Sequence, residues 1–368
     1  MKTFKRLAII LLLALILSGY ACAAPLDEQA DAIGAEDVRK ALPSEAEDIL
    51  GDVSLTDTKM GDTGLKAIFD EIRENFFGIF KNALRSAAKI LTIVLLCAVA
   101  HAAMEESGIR DMVSLGGTVA VAALTLNDVH AFLGMGMETL HTLSGFSKVL
   151  LPTMCTAAIS AGAVTSASAK YAATALFMDI LMTVGTNIIM PLISIYLASA
   201  IASAALGRDT LSGVSKFLKW GGTTALTLLM TAFTTYIGLT GLISGKTDEF
   251  AAKLTKSALG TVLPVVGGIV SDAAGTLVAG AGILRNSIGV FGFLAVAAVC
   301  VTPFLTLGTH YIVYKGTAAL SEALTDKRMS ELISAVGTAF GMLLALVGSA
   351  GIMLFFSVIS SMKAVGAA

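Results

Sequence analysis

From Ser86 onward, apolar residues run in long stretches, and the charged residues between them fall in short clusters. A helix of about 20 apolar residues matches the hydrocarbon thickness of a bilayer, where a charge is expensive. On that pattern Ser86–Met104, Val149–Ala169, Tyr171–Gly207, Trp220–Gly245, Asn286–Tyr314 and Leu332–Met362 are predicted spans, with Lys89 able to snorkel from the end of the first. Met112–Asn127, only 16 residues, is a weaker one. The 37 residues of Tyr171–Gly207 are too many for one straight helix, and Gly185 and Pro191 predict a kink or a break. The expected fold class is therefore all-α: a polytopic integral membrane protein with a signal peptide and about six or seven membrane segments.

The region before Ser86 follows other patterns. Lys2, Lys5 and Arg6 precede the apolar run Leu7–Leu17, and Ala21-Cys22-Ala23 follows, which is the layout of a secretory signal over 1–23. An uncleaved anchor is the alternative reading, and the Gly19-Tyr20-Ala21 context makes Cys22 a poor lipid-attachment site. Residues 24–63 are acidic and broken by Gly34, Pro43 and Gly51, so a mobile or loosely helical extracytoplasmic segment is expected. Over 64–85, Leu65, Ile68, Phe69, Ile72, Phe76, Phe80 and Leu84 recur at three- and four-residue steps, opposite Lys66, Asp70, Arg73, Glu74 and Lys81. That periodicity predicts an amphipathic helix, lying in the membrane interface or packed on a partner protein.

The later chain divides into a membrane region over 86–207, a basic loop and span over 208–245, a segment over 246–285 and the C-terminal spans over 286–368. Arg208, Lys216 and Lys219 in one loop, and Lys315, Lys327 and Arg328 in another, are separated by two spans and so share a face, which the charge bias makes cytoplasmic. An outside N-terminus then requires an odd number of crossings before Arg208. A Met112–Asn127 segment that dips in without crossing satisfies this, as does a long run that crosses twice; the shortness of Met112–Asn127 favours the first. Within 246–285, Thr247 is placed to cap a short helix, and the apolar pieces Ala258–Val270 and Ala273–Leu284 are split by Ser271-Asp272 and rich in glycine, with Pro264. Two readings stand: a Gly/Pro-broken re-entrant hairpin, or a helical pair lying flat in the interface.

Few residues offer chemistry. Asp179, with Thr183 and Asn187 at four-residue steps, forms a polar stripe inside an apolar run, a candidate ion site or pore lining, or a structural group near the interface. Thr223, Thr227, Thr231 and Thr235 form a second stripe, fit to line a wet path or to bond across to another helix. Ala157–Ala169 consists almost wholly of small residues and suits close helix packing. Gly241–Thr247 imitates a phosphate-binding loop, but Thr240 stands where its first glycine belongs and a span precedes it. Cys97, Cys155 and Cys300 lie in apolar runs, and the four histidines are scattered without metal-ligand spacing. No catalytic triad or acid pair emerges, so an enzyme, a cofactor or a metal centre is not expected, and any energy coupling would come from a separate ATPase.

Composition sharpens the same picture. The 368 residues are 55% hydrophobic and 14% charged, with a mean hydropathy of +0.82, whereas soluble domains carry about 25% charged residues. The net charge of −2 conceals a block between Asp27 and Glu74 that holds fourteen of the 27 acidic residues and five basic ones. Such a block disfavours nucleic acid as a partner.

The stretch Leu263-Pro-Val-Val-Gly-Gly-Ile-Val-Ser-Asp-Ala273, followed by Leu284-Arg-Asn-Ser-Ile-Gly-Val290, resembles the signature region of the stage III sporulation protein AE family. Cys300-Val-Thr-Pro303, Tyr314-Lys315 and Ala318–Glu322 with Asp326-Lys-Arg328 look like that family's downstream pattern, and the order of signal, acidic segment, amphipathic helix and spans is similar. The resemblance implies a membrane-embedded core component of a secretion-like channel between mother cell and forespore, in the mother-cell membrane, needed for forespore development after engulfment. It implies ring-forming single-span sporulation proteins and a cytoplasmic secretion-type ATPase as partners, with homo-oligomerisation left open. Pro264, Gly267, Gly268, Ser271, Asp272 and Arg285 match the motif and become candidate gating residues. An ion-coupled secondary transporter and a non-conducting scaffold are the competing classes.

Overall fold

The computed structural model describes residues 30–51, 59–104, 106–206, 212–262, 267–325 and 327–363, with side chains excepted at 107, 212, 240–279 and 363. The signal at 1–23 and Pro264 lie outside these residues. Among the described residues there is no strand, and six helices are long and apolar enough to cross a membrane. The chain is an all-α, multi-pass membrane protein.

Two short helices, α1 (Ala35–Lys40) and α2 (Ser44–Leu50), come first. Of the mobile and the loosely helical readings of this segment, they follow the helical one: Ala35, Val38, Ala46 and Leu50 are buried in the common core, while the carboxylates of Glu36, Asp37, Glu45 and Glu47 occupy the first turns, where the helix dipole favours them. Helix α3 (Met60–Ala103) then runs 44 residues without a break. The amphipathic stretch predicted over 64–85 runs without interruption into the predicted span Ser86–Met104, and the two form one helix. It packs on the bundle through Gly64 and Ile68, and a Cβ at Gly64 would lie 2.5 Å from Leu294.

Helix α4 (Ser107–Ser160) contains Met112–Asn127 whole, so that segment does not dip and return. Its end corrects a second expectation, because Val149–Ala169 is not one span. The amides of Gly162 and Ala163 donate to the carbonyls of Ile159 and Ala158, and Gly162 has φ +91°. That is a Schellman corner at a left-handed glycine, and it turns the chain inside the run of small residues. Helix α5 (Val164–Val184), a π-helical turn (Gly185–Ile189) and α6 (Met190–Leu206) then form one continuous helix. The π turn absorbs Pro191, which has no N–H to give to the carbonyl four residues back. Among the described residues, three helices long enough to cross a membrane therefore precede Arg208, the odd number that the basic loops require.

Helix α7 (Ser212–Val262), α8 (Gly267–Glu322) and α9 (Lys327–Lys363) complete the bundle. Lys246 and Thr247 start no new element, and the α8 backbone passes unbroken through Ser271 and Asp272. The helical pieces of the expected hairpin are ends of two long helices, whose junction at 263–266 falls outside the described residues. The antiparallel pair α8–α9 forms the centre. Gly337, Gly341, Gly348 and Gly351 of α9 seat Tyr314, Tyr311, Phe304 and Cys300 of α8, a close approach of the kind that small residues allow in membranes.

Candidate functional site

Neighbour contacts fix the depth at which each helix meets α8. Gly61 lies beside Val290, Gly64 beside Leu294 and Ser86 bonds Tyr314, so α3 runs parallel to α8. Met154 lies beside Gly289, Leu150 beside Gly292, Phe132 stacks edge-on to His310 and Asp128 bonds Tyr314, so α4 runs antiparallel. Residues 64–86 of α3 and 128–150 of α4 thus flank the stretch of α8 that holds no Asp, Glu, Lys or Arg between Asn286 and Tyr314.

At this depth both flanking helices carry exposed charge. On α3 these are Lys66, Asp70, Arg73, Glu74, Lys81 and Arg85; on α4, His130, Glu138, His141 and Lys148 project outward at successive steps of eight, three and seven residues. Helical spacing explains the α4 stripe, since the positions between them, such as Phe132, Leu140, Leu143 and Phe146, turn inward and are buried. An ionised group left against hydrocarbon is costly enough that such residues face water, protein or each other. Beside the apolar stretch of α8, α3 and α4 therefore turn charged side chains outward.

The residues singled out from the sequence are placed differently. Asp179, Thr183 and Asn187 are exposed on the outer surface of α5 and the π turn, and Asn187 belongs to that turn. Asp179 lies between Thr174, whose hydroxyl meets Ser357, and Gly185, which meets Leu346, so its carboxyl stands at mid-depth. The threonine stripe does not bridge helices. Thr223, Thr227 and Thr231 each donate to the carbonyl four residues back, at 2.9, 2.8 and 2.8 Å, and Thr227, Thr231 and Thr235 are exposed. Arg285 is buried at 2% exposure and donates from Nη2 to the Met362 carbonyl at 2.8 Å, complementing the C-terminal end of α9. Lys170, also buried, donates to Ser360 O of the same terminus at 2.6 Å. Gly267, Gly268, Ser271 and Asp272 lie on the first turns of α8. Among the described side chains, Asp179, Asn187, the threonine stripe and Arg285 form no single cluster.

Two polar groupings escape sequence reasoning. In the first, the Tyr314 hydroxyl donates to Asp128 Oδ2 at 2.7 Å, while His310 Nδ1 donates to the Thr306 carbonyl at 2.8 Å and its ring meets Phe132 and Phe340. In the second, lysines from α7, α8 and α9 surround a cavity of about 370 Å³ at the basic end of the bundle. The count of basic residues per loop signalled that they share a face, but not that they share a cavity. No cluster of three or more metal-ligating side chains exists among the described residues.

The model of the stage III sporulation protein AE family matches residues 51–365. The chain belongs to that family. One relative is stage III sporulation protein AE of Bacillus subtilis (strain 168), 22% identical over 299 residues that cover 80% of this chain and 73% of the relative. No solved structure matches. Family membership gives the chain a role in sporulation, and the match takes in α3 to α9 and so includes the polar surface of α3 and α4.

Proposed function

We propose that the chain is the membrane-embedded core of a sporulation-specific, secretion-like channel between mother cell and forespore, required for forespore development after engulfment. It sits in the mother-cell membrane with its basic end in the cytoplasm, where Lys and Arg accumulate. Its role is passage rather than catalysis. A cytoplasmic secretion-type ATPase supplies energy, and ring-forming single-span sporulation proteins extend the path beyond the membrane.

The observation that carries this reading is the outward charge on α3 and α4 at the depth of the apolar helices. A single copy surrounded by lipid would leave Glu138, His141 and Lys148 against hydrocarbon. Several copies, or this chain with its partners, would turn the same surface toward a shared aqueous path. A secondary transporter of one chain would instead hold its polar groups inside its own bundle, near broken helices.

Thiol accessibility tests the proposal in sporulating cells, on a background with the native cysteines replaced by alanine. Gly136 and Gly185 meet Met190 and Leu140 in turn, which puts Ile188 at the depth of Glu138. Glu138→Cys and His141→Cys should react with a charged, membrane-impermeant reagent, and Ile188→Cys should not. The double variant Glu138→Leu/His141→Leu should stop forespore development with normal protein levels in the membrane. Unreactive cysteines at 138 and 141, or full development in the double variant, would refute the channel reading.

A further inference from the structure

The cavity at the basic end is built by four helices. Lys216 and Lys219 come from α7, Lys315 from α8 and Lys327 from α9, while α6 contributes Tyr196 and small residues as a wall. Glu331 is the single acid in the lining, and it faces Lys327 at 3.5 Å across an exposed pair. Four lysines against one carboxylate leave a local charge of +3.

Lys315 is the central member. Its half-buried ammonium donates to the Ser334 carbonyl at 2.9 Å, Ser334 Oγ at 2.8 Å and Thr338 Oγ1 at 2.7 Å. All three partners are neutral, so the hydrogen bonds are satisfied and the charge is not. Lys219 stands close enough to repel it. Gathering like charges into one cavity is unfavourable unless an anion joins them. The volume is in the range of small-ligand sites.

The surroundings indicate which anion. Ala200, Ala204, Leu332 and Ala335 give the cavity an apolar wall beneath the lysines. Phe217 and Trp220, each on the next position after a cavity lysine and exposed at 66% and 61%, lie with ring centroids 6.0 Å apart. Exposed Trp beside Lys marks the headgroup level of a membrane. A tetrahedral phosphate presents several oxygens to lysines arriving from three helices, and lysine meets phosphate as a point charge.

We infer that this cavity binds a phosphate-bearing anion at the membrane surface, with the phosphodiester headgroup of an anionic phospholipid as the source favoured by its depth and apolar wall. The lipid phosphate rests among Lys216, Lys219 and Lys315, and bridges α7 to the α8–α9 pair. Basic pockets between spanning helices on the cytoplasmic side suit such headgroups.

The test uses the full chain in nanodiscs of phosphatidylcholine alone or with phosphatidylglycerol, and in phosphatidylcholine with inorganic phosphate. Phosphatidylglycerol should raise the unfolding midpoint and be retained several-fold over phosphatidylcholine on delipidation. Both effects should vanish in Lys216→Gln/Lys219→Gln. They should persist in Arg39→Gln/Lys40→Gln, which removes the same charge from exposed positions on α1. Equal protection by inorganic phosphate alone would keep the anion site and overturn the lipid as its source. Phosphatidylglycerol and phosphate both without effect, or an undiminished response in Lys216→Gln/Lys219→Gln, would overturn the site itself.

Discussion

Helices α8 and α9 at one end of the chain, and α3 and α4 at the other, are all long and apolar enough to span a membrane, yet they stand differently in the bundle. Within their most apolar windows, 61% and 67% of the residues of α8 and α9 are buried, against 28% and 39% for α3 and α4. The C-terminal pair is wrapped by its neighbours. The other pair lies at the rim and turns charges outward at the depth where α8 is apolar. Hydropathy marks all four as able to span a membrane, α8 and α9 being the more apolar; packing separates a pair that holds the bundle together from a pair that presents a surface.

Substitutions that rank core above rim can break that contrast. Phe340 of α9 is fully buried against Phe132 and Tyr314, at centroid distances of 4.9 and 5.1 Å, so Phe340→Ala should cost about 3–5 kcal/mol. Chemical unfolding in mild detergent measures it. Tyr314→Phe keeps the ring but leaves Asp128 without its donor, for a loss of about 1–3 kcal/mol by the same assay. Gly162→Ala places a Cβ at φ +91°, with open space around it, so only backbone strain of about 1–2 kcal/mol is expected. Thr231→Val removes an intrahelical bond on an exposed face and should stay within about 0.5 kcal/mol. If Thr231→Val destabilised more than Tyr314→Phe, the division between a packed centre and a permissive rim would fail.

Much of the fold was legible because lipid imposes one rule on every span. The runs Trp220–Gly245, Asn286–Tyr314 and Leu332–Met362 each fall within one helix for that reason. The early helices were harder. Asp128 and Lys148 read as limits of apolar runs, but a helix backbone continues through charged positions when those side chains face outward, as Lys148 does. The corner at Gly162 was hidden for the opposite cause, since Ala161, Gly162 and Ala163 carry nothing polar to mark a turn. The candidate sites were less legible still. Periodicity places Thr223, Thr227, Thr231 and Thr235 on one face, but it does not say whether that face meets a helix or the exterior. Tyr314 and Asp128 are 186 residues apart in sequence, and only packing brings them together.

The π turn at Gly185–Ile189 inserts one extra residue into an otherwise regular helix, so everything after it is rotated by about 100° from the phase that α5 alone would set. That rotation is what directs Ile193, Tyr196 and Leu197 inward, with Tyr196 bonding Thr338 at the edge of the lysine-lined cavity. Deleting a single residue there would leave composition and span length almost unchanged while swinging the whole of α6 onto a different face. An insertion or deletion at this point is thus a far larger event for the molecule than any exchange of one apolar side chain for another along the same helix.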